Sequence, residues 1–155
     1  MMKTSRILAA TAAAVLAATP LLAQQGPEAQ AMKARQGMMQ FYAMNLGVLG
    51  AMAKGERDYD AAAASAAAGN IAGVAQLNMS MLWPQGSDDM SLDGSRALPA
   101  IWENMADVGA KSAAMREAAL AMQAAAGTDL ASLQAAMGAL GGACGDCHKA
   151  YRTPQ

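Results

Sequence analysis

Along most of the chain, apolar residues recur at alternating intervals of three and four, the period of an α-helix with one face against a neighbour. The first such stretch runs from about Pro27 to Lys54. Its seam is Met32, Arg35, Met39, Tyr42, Leu46, Leu49 and Ala53, and Gly55 stops it. The second runs from about Asp60 to Met81 on a stripe of Ala64, Ala67, Ile71, Val74, Leu77 and Met81, with Asp58 or Asp60 as its cap. Gly69 and Gly73 weaken that helix or let a neighbour come close. Trp83 to Asp89 is rich in turn formers and opens a long loop reaching about Leu98. The third stretch starts at Pro99 and runs to Ala126 on Trp102, Met105, Gly109, Met115, Ala119 and Met122, and Gly127 ends it. The fourth is capped by Thr128 or Asp129. It keeps the rhythm through Leu130, Leu133, Met137, Leu140, Cys144, Cys147 and Tyr151, with glycines at 138, 141 and 142 to loosen its middle. No strand pattern and no internal repeat interrupts this. The pattern predicts an all-α fold, an antiparallel up-down four-helix bundle.

The first residues stand outside that domain. Lys3 and Arg6 precede an apolar run from Ile7 to Ala18, Pro20 breaks the run, and Leu21-Leu22-Ala23 offers a cleavage site. The run is shorter than the ~20 residues that span a bilayer, which argues against an anchor. Residues 1–23 therefore read as a cleaved signal peptide and residues 24–155 as one mature domain. The formal net charge of the full chain is −1, and loss of Lys3 and Arg6 makes the mature chain more acidic, so nucleic acid is not an expected partner. Apolar residues make up 54% of the chain, yet fourteen are Met and only six are aromatic. A core of Ala and Met is thin, and a large buried cofactor would supply the missing bulk.

The chain has two cysteines and one histidine, and all three fall within Cys144-Gly145-Asp146-Cys147-His148. Cys-x-x-Cys-His is the spacing of haem attachment. Each thiol adds to one vinyl group, and the adjacent imidazole reaches the iron as an axial ligand. Three other readings of the motif compete. A thioredoxin-type dithiol opens a helix after a strand, and no strand precedes Cys144. A zinc site needs a fourth ligand nearby. A structural disulfide is open to any exported chain. Seven residues follow His148, so a ligand for the opposite iron face must come from upstream.

Several stretches together resemble the class II cytochromes c, the family of cytochrome c′ and its low-spin relatives. Arg35-Gln36-Gly37-Met38-Met39 resembles the first-helix motif. Trp83-Pro84-Gln85-Gly86-Ser87 is similar to the aromatic-Pro-x-Gly-Ser/Thr loop, Ala97 to Trp102 to the start of the third helix, and Cys147 to Arg152 to the ending. The resemblance implies a bundle with one haem c covalently bound on its last helix through Cys144 and Cys147. It implies His148 as proximal iron ligand, Met39 at the distal position, and Gln36 and Arg152 near the haem. A periplasmic location, redox partner proteins, nitric oxide or carbon monoxide as ligands, and a homodimer are further implications. The Arg-Gln-Gly-Met-Met-Gln stretch looks most like the high-spin branch, which implies a Met39 that packs over the ring without bonding the iron.

The residues themselves agree at Arg35, a cation on an apolar seam that needs an anion if buried. A haem propionate would provide one with two-point geometry. Otherwise the side chain would snorkel to solvent. Met39 lies one turn further on the same face. Arg152 shares a face with His148, although a cation near a helix C-terminus needs no haem to explain it. No nucleophile triad, carboxylate pair or phosphate loop is evident. The expected function is one-electron transfer by haem iron, with gas binding at an open distal site. A gas-binding haem protein without a carrier role and a haem-free thiol oxidoreductase are the alternatives, and substrate turnover is not expected.

Overall fold

A computed structural model describes residues 26–154. The expected leader and its cleavage site lie outside the described residues. The elements are α1 (Pro27–Ala53), α2 (Ala61–Ala75), a 3₁₀ turn (Ser80–Leu82), α3 (Ala100–Glu103), α4 (Met105–Ala125) and α5 (Leu130–Tyr151). With α3 and α4 in line of sequence as one broken helix, the chain is a four-helix bundle.

The ends of these helices follow from local chemistry. Gly55, at φ +74°, closes α1: its N–H bonds Met52 O and the Glu56 N–H bonds Ala51 O, both close to 3 Å. That is a Schellman end, and it needs a residue that tolerates positive φ. Asp60 caps α2 by accepting the Ala63 N–H at 2.9 Å, and Asp129 caps α5 by accepting the Ser132 N–H at 2.7 Å.

Two expected helices differ from the structure. The second ends at Ala75, not Met81, because Asn78 accepts the Ser80 N–H at 3.0 Å and turns the chain. Leu77 and Met81, expected on the buried stripe, are exposed as a result. The third breaks at Asn104, whose backbone leaves the helical region and whose side chain bonds Ala100 O at 3.1 Å. An asparagine that finds local backbone partners competes with helix continuation. The glycines in α5 do not interrupt it.

Leu49 and Met52 of α1, Ala64, Ala68 and Ile71 of α2, Ala119 and Met122 of α4, and Leu133 and Leu140 of α5 form the fully buried centre. Alanine on the inner faces lets the helix axes approach, and the longer side chains fill what is left. Close approach is sharpest at Gly127, where a Cβ would sit 2.1 Å from Ser65 Oγ of α2. Of the two glycines expected either to weaken α2 or to let a neighbour come close, Gly69 would place a Cβ 3.7 Å from Gln123 Nε2, an ordinary contact, and Gly73 would meet nothing within 4 Å. Among the described residues no helix is long and apolar enough to cross a membrane.

Candidate haem site

The last turns of α5 carry Cys144, Cys147 and His148 at spacings of three and four, which puts them on one face. That face borders a cavity of about 500 Å³. Met38, Met39 and Tyr42 of α1 form part of its wall. Val74 to Ser80 and Trp83 form another part, and Met105, Val108, Lys111, Ser112, Met115 and Arg116 come from α4. Of the seven residues singled out by sequence, Cys144, Cys147, His148 and Met39 meet at this cavity, and Arg35, Gln36 and Arg152 do not line it.

Both cysteines are free thiols, and Cys144 Sγ lies 3.7 Å from Met115 Sδ. Burial pushes both thiols above the ordinary range. Cys147 adds to the rise at Cys144, and at Cys147 Asp107 adds to it against an opposing Lys111. Burial, with help from Arg152 and Arg96, pushes His148 below the usual imidazole value. The imidazole is therefore a neutral base at pH 7, the form that coordinates a metal. Among the described residues no group of three or more His, Cys, Asp and Glu side chains is arranged to hold a metal ion, which argues against the zinc reading.

The end of α5 is held from two sides. Tyr151 donates its hydroxyl to Asp107 Oδ2 of α4 at 2.6 Å. The 96–98 segment runs antiparallel to residues 151–153, with Leu98 N to Tyr151 O and Thr153 N to Arg96 O both at 3.0 Å. His148 thus sits on a turn whose position is fixed three residues later.

Arg35 is 5% exposed, which rules out the snorkelling alternative. Its Nη1 donates to Leu82 O at 2.6 Å and to Ser87 Oγ at 2.7 Å, and its Nη2 donates to Ser87 O at 2.8 Å. The guanidinium also stacks on Trp83, 4.7 Å from the ring centre. Trp83 meets Trp102 edge to face at 6.4 Å and accepts the Trp102 indole N–H at its backbone O. Arg35 therefore reaches the cavity through Trp83, which lines it. Among the described residues no carboxylate pairs with Arg35, and burial lowers its pKa from the ordinary value. Gln36 is exposed and donates to Gly94 O at 2.9 Å. Arg152 is exposed as well, with its backbone in the bridge to Ala97.

In the sequence Tyr42, Met105 and Met115 lie on helix seams and Trp83 in a loop, with nothing that assigns them to the site. Tyr42 was findable from its three-residue spacing from Met39. Lys111, Ser112 and Arg116 carried no signal, because an outward polar residue on α4 looks solvated until the cavity is seen.

The model of the family described as cytochrome C′ matches residues 30–152. The chain belongs to the cytochrome c′ family. It is 50% identical over 138 residues to cytochrome c-554 of Cereibacter sphaeroides, covering 88% of this chain and 90% of that one. Its fold superposes on cytochrome c′ from Rhodobacter sphaeroides with a TM-score of 0.80 at 37% identity, covering 83% of this chain and 98% of the other. A carbon monoxide-bound variant of cytochrome c′ from Alcaligenes xylosoxidans gives a TM-score of 0.72 at 30% identity, covering 82% and 97%. Cytochromes c′ carry one covalently bound haem c, and the cavity suits that group. Its volume falls within the ~300–1,000 Å³ usual for cofactor sites. Its walls are largely apolar, and two thiols and a neutral imidazole share one side of it.

Proposed function

We propose that this chain is an exported, periplasmic one-electron carrier whose haem c is fixed to Cys144 and Cys147 and ligated by His148. The observation that carries the proposal is the convergence of both thiols and the imidazole on one wall of an apolar cavity, with Met39 on another. Haem c supplies a one-electron Fe(II)/Fe(III) couple and axial positions for ligands. The chain's own residues hold and insulate it. Met39 presents a thioether to the distal face, and that face also admits a diatomic gas, as the carbon monoxide-bound relative suggests. Arg35, buried without a carboxylate, keeps donors free for a propionate and fixes the Trp83 loop beside the cavity. Gln36 and Arg152 belong to the same haem environment in this reading, at its periphery.

Residues 1–23 are the export signal and 24–155 the mature domain in this proposal, with no anchor retained. Redox proteins are the partners, and substrate turnover has no part in it. A homodimer is consistent with the outer face of α1, where Phe41 and Met44 stand exposed three residues apart. Potentiometry of the purified holoprotein tests the carrier role. A reversible one-electron couple with the same haem spectrum after repeated cycling supports it. A couple that cannot be cycled, with gas binding intact, would leave a gas-binding protein without a carrier role.

A further inference from the structure

The chain has three tyrosines, all within the described residues, and two of their hydroxyls are satisfied by protein. Tyr59 donates to Ala126 O at 2.9 Å and Tyr151 to Asp107 Oδ2 at 2.6 Å. Tyr42 has no hydrogen-bond partner among the described residues, although a half-buried phenol ordinarily finds one. Its oxygen is not sealed in the core either: among the described residues the sealed side-chain atom without a partner is Asp89 Oδ1. Tyr42 lines the cavity, and it leaves α1 on the same face as Met39, three residues earlier. The other α1 contributions to the wall are Met38 and Met39, so α1 offers the cavity one O–H donor.

We infer that Tyr42 is the hydrogen-bond donor of the distal face, presented to the terminal oxygen of a carbon monoxide or nitric oxide molecule bound there. The inference rests on the reading that Met39 marks the face opposite His148. The donor must keep its proton to act, and burial, followed by the influence of Cys144, pushes the phenol up to about 12. Conversion of Cys144 to a thioether removes the second influence and leaves the first. A gas bound to ferrous iron gathers electron density on its outer oxygen, and a donor there strengthens that polarisation. Lys111, Ser112 and Arg116 also reach the cavity, but from α4, not from the helix that carries Met39.

The test is infrared spectroscopy of the ferrous carbon monoxide complex, with the dissociation rate, for the wild-type holoprotein and Tyr42→Phe. Both are repeated in Met39→Ala, so that the thioether does not compete for the iron. The expected result is a C–O stretch at lower frequency with Tyr42 than with Phe, and dissociation about fivefold faster in the Phe form, the loss of one modest hydrogen bond. Identical stretch and rate in the two forms would overturn the inference and leave the distal assignment standing. Absence of any carbonyl band, even in Met39→Ala, would overturn the accessible distal face as well, and so is distinguishable from the first failure.

Discussion

Replacing Arg35 with Ala removes the link between α1 and the loop that borders the haem cavity, and the cost can be worked bond by bond. Three charge-assisted hydrogen bonds disappear, to Leu82 O, Ser87 Oγ and Ser87 O, together with the stack on Trp83. Two of the acceptors keep other partners: Ser87 O still accepts from Ser95 Oγ, and Ser87 Oγ still donates to Pro84 O. Leu82 O is half-buried and loses its side-chain donor. Hydrogen bonds to charged groups contribute about 1.5–3 kcal/mol each, and relief of the buried guanidinium offsets part of the loss. The net expectation is about 2–4 kcal/mol. At about 3 °C per kcal/mol for a domain of this size, Tm of the holoprotein should fall by about 6–12 °C in a far-UV circular dichroism melt. Arg35→Lys should recover little, because an ammonium cannot reproduce the planar two-point contact or the stack. A melt within about 1 °C of wild type would refute the anchoring argument. The reduction potential reports separately on the propionate. Loss of a cation beside it lowers the potential, whereas a residue that only holds the loop leaves it unchanged.

Three further outcomes follow from the same structure. Met39→Ala should raise carbon monoxide affinity of the ferrous protein by about tenfold or more, about 1.4 kcal/mol, measured by optical titration, if Met39 covers the distal face as proposed; an unchanged affinity would remove Met39 from that face. Gly127→Ala should destabilise by about 1–3 kcal/mol, since the new Cβ meets Ser65 Oγ at 2.1 Å, and Ser65→Gly should recover most of it in denaturant titrations; no loss would mean that the α2 contact yields freely. Hydrogen bonds from the Ser132 backbone and side chain hold the Asp129 carboxyl below its ordinary range. A carboxyl with a lowered folded-state pKa stabilises fully above the unfolded value of about 3.9, and that contribution is lost as pH falls through the folded value. The stability gap between wild type and Asp129→Asn should therefore narrow as denaturation is measured below about pH 4, and a gap that widens in acid would contradict it.

The bundle and the attachment motif were legible in the sequence because both are local. Periodicity over twenty residues survives the weak propensity of any one position, and Cys144 to His148 lie within a turn and a half of one helix. Interruptions were less legible. Asn78 and Asn104 each outweighed an apolar stripe by bonding nearby backbone, and nothing in the stripe announces that competition. The role of Arg35 was half legible. Its place on an apolar seam foretold burial, but the partners it found in the structure are loop carbonyls and a hydroxyl some fifty residues away, contacts of tertiary origin. Gly127 shows the same limit from the other side. Its sequence context reads as a helix stop, and only the approach of Ser65 shows why a side chain is excluded there.

The central claim is the covalent attachment of haem at Cys144 and Cys147, and intact mass spectrometry of the denatured, secreted protein tests it most directly. The expected result is a chain beginning at Gln24 and heavier by one haem, a mass that acidic acetone does not strip. A mass equal to the bare chain, or to the chain less two hydrogens for a Cys144–Cys147 disulfide, would contradict it.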